Sequence, residues 1–237
     1  MNKNDITNRI KLNSPTLSVN IIGCDLMKLG EQISLIEKAN LHLIHFDIKD
    51  GCFVPTITFG PCFVKAINTG LIKHTQLMIH DPSEKYIDYI KSGADIITLH
   101  IESDYNLKNT LKILGKHTNQ NDEKSKIVRG LAINPDIPVQ DLAPFLDDID
   151  LVTVMTYNPK MIDGKQDDLL LKRINEIKKM IDYADKDILL CINGGINKTN
   201  IKEYRNLGAD ILVVGSAIFK NDLIIENINE LLSLIKN

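Results

Sequence analysis

The sequence predicts an α/β protein consisting of one (β/α)8 TIM barrel, with residues 1–237 as a single domain. Three observations lead there. The length of 237 residues lies close to the roughly 250 residues typical of such barrels. Eight short runs rich in Ile, Val and Leu alternate with longer amphipathic stretches, and runs that are apolar on both faces suit parallel strands covered by helices. Two junctions, Ser92-Gly93-Ala94-Asp95-Ile96-Ile97 and Leu207-Gly208-Ala209-Asp210-Ile211-Leu212, nearly repeat each other, each reading as a helix, a glycine cap and a buried strand.

In chain order the expected strands are Thr16–Ile22, His42–Ile48, Thr75–Ile79, Ile96–His100, Ile127–Ile133, Leu151–Met155, Asp187–Ile192 and Ile211–Val214. Helical periodicity places helices at Leu26–Ala39, Ser83–Lys91, Leu107–Lys116, Val139–Leu146, Asp168–Tyr183, Lys198–Leu207 and Asp222–Ile235. The polar stretch Asn119–Lys126 reads as a surface loop ahead of the fifth strand. A doubly wound open sheet is the alternative that the same alternation allows. In barrels of this class functional groups project from the C-terminal ends of the strands, so the ends of the apolar runs are where chemistry is sought.

Composition narrows the function classes. Lys plus Arg number 28 against 31 Asp plus Glu, a net charge of −3, so there is no basic field to gather nucleic acid. The cysteines Cys24, Cys52, Cys62 and Cys191 form no CxxC pair and read as small buried hydrophobes. The N-terminal residues lack a signal-peptide segment, and no apolar run approaches the roughly 20 residues that span a bilayer. A reduced, cytoplasmic protein without a membrane segment is expected.

His45 and Asp47 stand two apart on a strand and so face the same side, where an imidazole and a carboxylate can share a divalent ion or simply hydrogen-bond. Gly194-Gly195 and Gly215-Ser216 follow the last two strands. That is where barrels commonly hold phosphate through backbone N–H groups, although tight strand-to-helix turns need glycine as well.

The run from Ile44 to Pro61, IHFDIKDGCFVPTITFGP, closely resembles the signature of ribulose-5-phosphate 3-epimerases. Further matches are Leu77-Met78-Ile79 with Pro82, Thr98-Leu99-His100-Ile101-Glu102, Asn134-Pro135, Met155-Thr156 with Asn158-Pro159, Gly194-Gly195-Ile196 and Gly215-Ser216-Ala217-Ile218-Phe219, so that the resemblance runs from about Leu17 to Phe219. It implies a small phosphorylated sugar as substrate and a divalent metal (Zn, Fe or Mn). It further implies that His45 and Asp47 are ligands, with Asp47 also a catalytic acid/base, that Asn20 and Met155 lie at the substrate, and that the two glycine turns hold phosphate. Related barrels often form dimers or hexamers, and a homo-oligomer is the corresponding expectation.

Several positions depart from the family pattern. Gln76 replaces a third metal-binding His, and Asn193 replaces the acid ahead of Gly-Gly that would be both a ligand and the second proton carrier. An amide is a poorer ligand and exchanges no proton, so metal binding is expected to be weakened or absent, and inversion loses a factor of about 10²–10⁴. His74, His80 or Asp81 could compensate for Gln76. The glycine-rich loop after the sixth strand becomes Lys160-Met161-Ile162-Asp163-Gly164-Lys165-Gln166, in which Lys160 or Lys165 could offer charge instead. Asn20 takes the place of a Ser, and Gly23 also differs. Lys49 makes Asp47-Ile48-Lys49 resemble the Asp-x-Lys of phosphate-binding decarboxylase barrels, without their second Asp, since Cys52 stands at that position. Three functions follow. The leading one is a sugar-phosphate epimerase or isomerase that removes a proton beside a ketose carbonyl, with altered specificity or reduced rate. The alternatives are an impaired homologue that only binds a phosphometabolite, and a metal-independent lyase or decarboxylase built on Asp47 and Lys49.

Overall fold

Eight parallel strands close into a barrel in chain order in the computed structural model, which describes residues 5–160 and 169–236. They are β1 Thr16–Asn20, β2 Leu43–Lys49, β3 Ile72–Met78, β4 Ile96–His100, β5 Val128–Ile133, β6 Leu151–Met155, β7 Leu189–Asn193 and β8 Ile211–Val214. β8 pairs back onto β1, leaving no open edge; a doubly wound open sheet is ruled out by this closure.

Alternate residues on each strand separate two cores. Outward residues such as Val19, Ile44, Phe46, Leu99 and Val154 pack against the surrounding helices. Inward residues at the strand beginnings, among them Leu43, Ile72, Ile96, Val128 and Leu151, fill the lower barrel together with Ile6 and Ile10. Those last two belong to an N-terminal helix, Ile6–Leu12, that is absent from the sequence expectations. The Asp5 side chain caps it by accepting the Thr7 N–H, and residues four apart put both isoleucines on one face. Above this apolar plug the inward positions turn polar, with His45, Asp47, His74, Gln76, Thr98, His100 and Asn193 all buried.

The repeated Ala-Asp before a strand has a mechanical role. Asp95 Oδ2 accepts the N–H of Lys73 at 2.7 Å, and Asp210 Oδ2 accepts that of Leu190 at 2.9 Å. Asp150, just ahead of β6, accepts the N–H of Arg129 at 3.0 Å. Each carboxylate thereby fixes where the preceding strand begins, and hence its register at the far end.

Some expectations shift. The first strand stops at Asn20, whose side chain caps a 3-10 turn, Ile21–Gly23. The third strand begins at Ile72, three residues before the expected Thr75, because its early polar residues are satisfied: the Lys73 ammonium donates to the Val64 carbonyl at 2.9 Å, and His74 bonds inside the barrel. The segment Val139–Asp148 is 3-10 rather than α-helical, with Pro144 inside it. A short helix, Pro61–Ala66, adds to the expected set. Cys52 and Cys62 are exposed, contrary to the buried reading, since they lie on the loop after β2 and on the outer side of that short helix. The stretch 119–126 is a loop folded inward: Asn119 is buried and donates to Asp95 Oδ1 at 2.8 Å. No helix of the described residues is long and apolar enough to cross a membrane.

Candidate active site

The register of β2 against β3 sets His45 beside His74 and Asp47 beside Gln76. Across the barrel, β7 ends in Asn193, whose neighbour on β6 is Met155. These positions point inward, and they form one polar network at the C-terminal end of the barrel.

Asp47 lies at its centre. Oδ2 accepts a hydrogen bond from Asn20 Nδ2 at 2.7 Å. Oδ1 is 3.1 Å from His45 Nε2 and 3.3 Å from Asn193 Nδ2, which donates to it. Burial alone would raise this carboxyl, but the His45 and Asn20 donors and the Lys49 ammonium outweigh it and hold the group well below the usual carboxylate range.

Behind His45 the network runs downward, Nδ1 to His74 Nδ1 at 3.2 Å and His74 Nε2 to Thr98 Oγ1 at 2.8 Å. The Thr98 hydroxyl reaches inward because Gly130 faces it; a Cβ at 130 would come within 2.0 Å of that oxygen. Burial, reinforced by His45, pushes the His74 imidazole well below its ordinary value and keeps it neutral. An ionised carboxylate only accepts, so the hydrogen between His45 and Asp47 belongs to His45 Nε2. One hydrogen lies between His45 Nδ1 and His74 Nδ1, and one between His74 Nε2 and Thr98 Oγ1.

Gln76 is fixed from both ends. Its Nε2 donates to His100 Nε2 at 2.9 Å and to Met155 Sδ at 3.1 Å, while its Oε1 accepts from Asn193 Nδ2 at 2.9 Å. That orients the Asn193 amide. Reversing it would bring Oδ1 against the acceptor oxygens of both Gln76 and Asp47.

The donor set implied by the resemblance, His45, Asp47, Gln76 and Asn193, therefore does not fit a divalent ion. A ligand offers a lone pair. Here the Asn193 NH2 group occupies the centre, 2.9 to 3.3 Å from Gln76 Oε1, His45 Nε2 and Asp47 Oδ1, and His45 Nε2 is a donor. Among the described residues no group of three His, Cys, Asp or Glu is placed to hold a metal. His80 and Asp81 are exposed rim residues and do not complete such a group.

Above Asp47 opens a cavity of about 350 Å³ lined by Asn20, Asp47, Lys49, Tyr157, Asn193, Gly194, Gly195, Gly215 and Ser216, with Ile22, Gly23, Ile196 and Val213, a volume suited to a small ligand. β2 stays regular through Lys49, so Lys49 shares the face of Asp47, as the Asp-x-Lys pattern requires. Gly194 adopts φ +128 and lets the Tyr157 ring close in; a Cβ there would meet the ring at 2.7 Å. Met155 is buried against the Gln76 amide and does not line this cavity. Lys160 pairs with Glu102 at 3.2 Å and sits 4.3 Å over the Phe53 ring, away from it; Lys165 lies outside the described residues. Tyr157 is missing from the sequence-derived candidates, although it stands two residues after the end of β6, where functional groups are sought.

Comparison with known proteins identifies the family. The profile of the Ribulose-phosphate 3 epimerase family matches residues 16–219. The chain is 36% identical over 202 residues to ribulose-phosphate 3-epimerase of Bacillus subtilis (strain 168), covering 84% of this chain and 89% of that protein. It is 34% identical over 206 residues to the chloroplastic ribulose-5-phosphate-3-epimerase of Arabidopsis thaliana, covering 86% of this chain and 71% of that protein. Among solved structures, 3-keto-L-gulonate-6-phosphate decarboxylase from Vibrio cholerae superposes with a TM-score of 0.69 at 14% identity, over 94% of this chain and 98% of that one. For 3-hexulose-6-phosphate synthase from Salmonella typhimurium the TM-score is 0.68 at 15% identity, over 93% and 98%. At such identities the structural matches speak for the fold alone. The profile begins where β1 begins and ends just past the second glycine turn, taking in the whole polar network, and the chain belongs to the ribulose-phosphate 3-epimerase family.

Proposed function

We propose that this chain is a sugar-phosphate epimerase that moves a proton beside the carbonyl of a ketose phosphate, with Asp47 as the group that takes the proton. The observation that carries the reading is that the ionised Asp47 and both glycine turns, Gly194-Gly195 and Gly215-Ser216, line one cavity. A carboxylate fixed by donors from three sides is pre-organised as a base and needs no solvent rearrangement to act. The glycine turns bring backbone N–H groups to the cavity wall, where a phosphate can be held without a large positive patch.

As the C–H bond breaks, negative charge develops on the carbonyl oxygen. Among the described residues the Lys49 ammonium is the cation that lines the cavity, and the Asn20 amide stands next to Asp47. Both are suited to stabilise an enediolate. No step is assigned to a divalent ion, because the donor set does not fit one.

The test is Asp47→Asn. Incubated with D-ribulose 5-phosphate in deuterated water, the variant should lose exchange of the C3 proton by about 10²–10⁴-fold, while the wild type exchanges it. Equal exchange in both would remove Asp47 from the mechanism. The placement of Lys49 in the cavity also favours a second reading, a lyase or decarboxylase built on Asp47 and Lys49. That reading predicts that Lys49→Ala abolishes carbon–carbon cleavage of a β-keto acid sugar phosphate, whereas an epimerase cleaves no such bond.

A further inference from the structure

Resting on the epimerase reading, inversion requires a proton to arrive on the face of the substrate opposite the one from which Asp47 removes it. Asn193 cannot supply it, since an amide exchanges no proton. We propose that Tyr157 is the proton donor on that opposite face.

The placement follows from the barrel. Asp47 projects from β2 and Tyr157 follows the end of β6, four strands away in a closed ring of eight, so the two stand across the mouth from each other, on walls of the same cavity. The ring is seated against Gly194, where a side chain would collide with it, and the turn is fastened by Thr156 Oγ1 donating to the Gly194 carbonyl at 2.8 Å. Among the described residues the phenol has no hydrogen-bond partner. Among the described residues, Lys49 shares the strand and face of Asp47, and His45 and His100 are fully buried and do not line the cavity. Burial and the nearby Asp47 charge raise the Tyr157 phenol above its ordinary value, which keeps it in the protonated form that a donor needs.

In the step itself Asp47 takes the C3 proton and the C–H electron pair moves into the enediolate. C3 then takes the Tyr157 hydroxyl proton from the other side, and the O–H pair remains on the phenolate. Asp47 releases its proton to water and the phenolate regains one, so no other reactant is consumed.

The experiment is Tyr157→Phe, which keeps the ring against Gly194, with thermal unfolding to verify the fold. D-ribulose 5-phosphate in deuterated water is followed at C3 by NMR for both exchange and inversion. The proposal predicts that inversion falls about 10²–10⁴-fold while exchange with retained configuration, catalysed by Asp47, persists. Inversion at the wild-type rate would overturn it, and so would parallel loss of exchange and inversion, which would mark the ring as a wall of the cavity only. A wild-type protein that exchanges no proton would instead contradict the epimerase reading, and the proposal with it, whatever residue stands at 157.

Discussion

Asn193 Nδ2 donates to Gln76 Oε1 across 2.9 Å, joining two amides where the family pattern has an acid and an imidazole. This contact determines the character of the site. It turns the Asn193 NH2 group toward the centre of the four side chains, where an ion would need lone pairs, and makes Asn193 a hydrogen-bond donor to Asp47.

Restoring the ligand chemistry should therefore restore an ion site. Wild-type protein dialysed against Zn²⁺ or Mn²⁺ is expected to retain no ion in the barrel, and Gln76→His with Asn193→Asp is expected to retain about one per chain, measured by elemental analysis and calorimetric titration. Stoichiometric binding by the wild type, lost in His45→Ala, would contradict this account of the donor set.

The glycine turn after β7 should tolerate no side chain. Gly194 combines φ +128 with an approach that would put a Cβ 2.3 Å from Thr156 Oγ1. Gly194→Ala is expected to displace the Tyr157 ring and the phosphate-facing backbone together, lowering kcat/KM about 10²-fold. Unchanged kinetics would show that the turn does not position substrate.

Stability should decline on mild acidification because of histidines rather than carboxylates. Burial pushes the His100 imidazole down to about 4, against the attraction of Glu102, and His74 is lowered as well. A group whose folded value lies below its unfolded one contributes stability that is complete above the unfolded value, near 6.5, and is lost as pH falls toward the folded value. For His100 the window is pH 6.5 to about 4, with roughly 3 kcal/mol at stake. Urea unfolding across that window should slope less steeply in His100→Asn than in the wild type; identical slopes would mean that His100 does not control it.

The carboxylates that set strand starts are expected to matter for folding and not for chemistry. Asp210→Ala removes the acceptor for the Leu190 N–H, the Lys11 ammonium and the Ser14 hydroxyl. A buried donor left unpaired costs about 1–3 kcal/mol, so chemical denaturation should register a loss of at least that size. A variant as stable as the wild type would show that β7 holds its register without Asp210.

The barrel is legible in the sequence because buried parallel strands leave continuous apolar runs, and β4, β6 and β8 coincide with theirs residue for residue. β3 reads too short because Lys73 and His74 interrupt the pattern, and only the three-dimensional partners, the Val64 carbonyl and the Thr98 hydroxyl, explain how they are buried. His45 and Asp47 can be paired from strand parity alone. The orientation of the Asn193 amide cannot, because it depends on Gln76 being held by His100 and Met155, residues 24 and 79 positions away in the chain. Tyr157 stays hidden for a related reason. A lone tyrosine after a strand carries no signal until the ring closure that sets β6 opposite β2 is known.

The proposed proton transfer by Asp47 beside a ketose carbonyl takes place in a site held together by amides. The most direct measurement is wild-type protein stripped with chelator, mixed with D-ribulose 5-phosphate in deuterated water, and followed at C3 by NMR with chelator still present. Deuterium exchange at C3 is expected together with formation of the C3 epimer, xylulose 5-phosphate. Exchange that appears only when Zn²⁺, Mn²⁺ or Fe²⁺ is supplied, or no exchange under any condition, would contradict it.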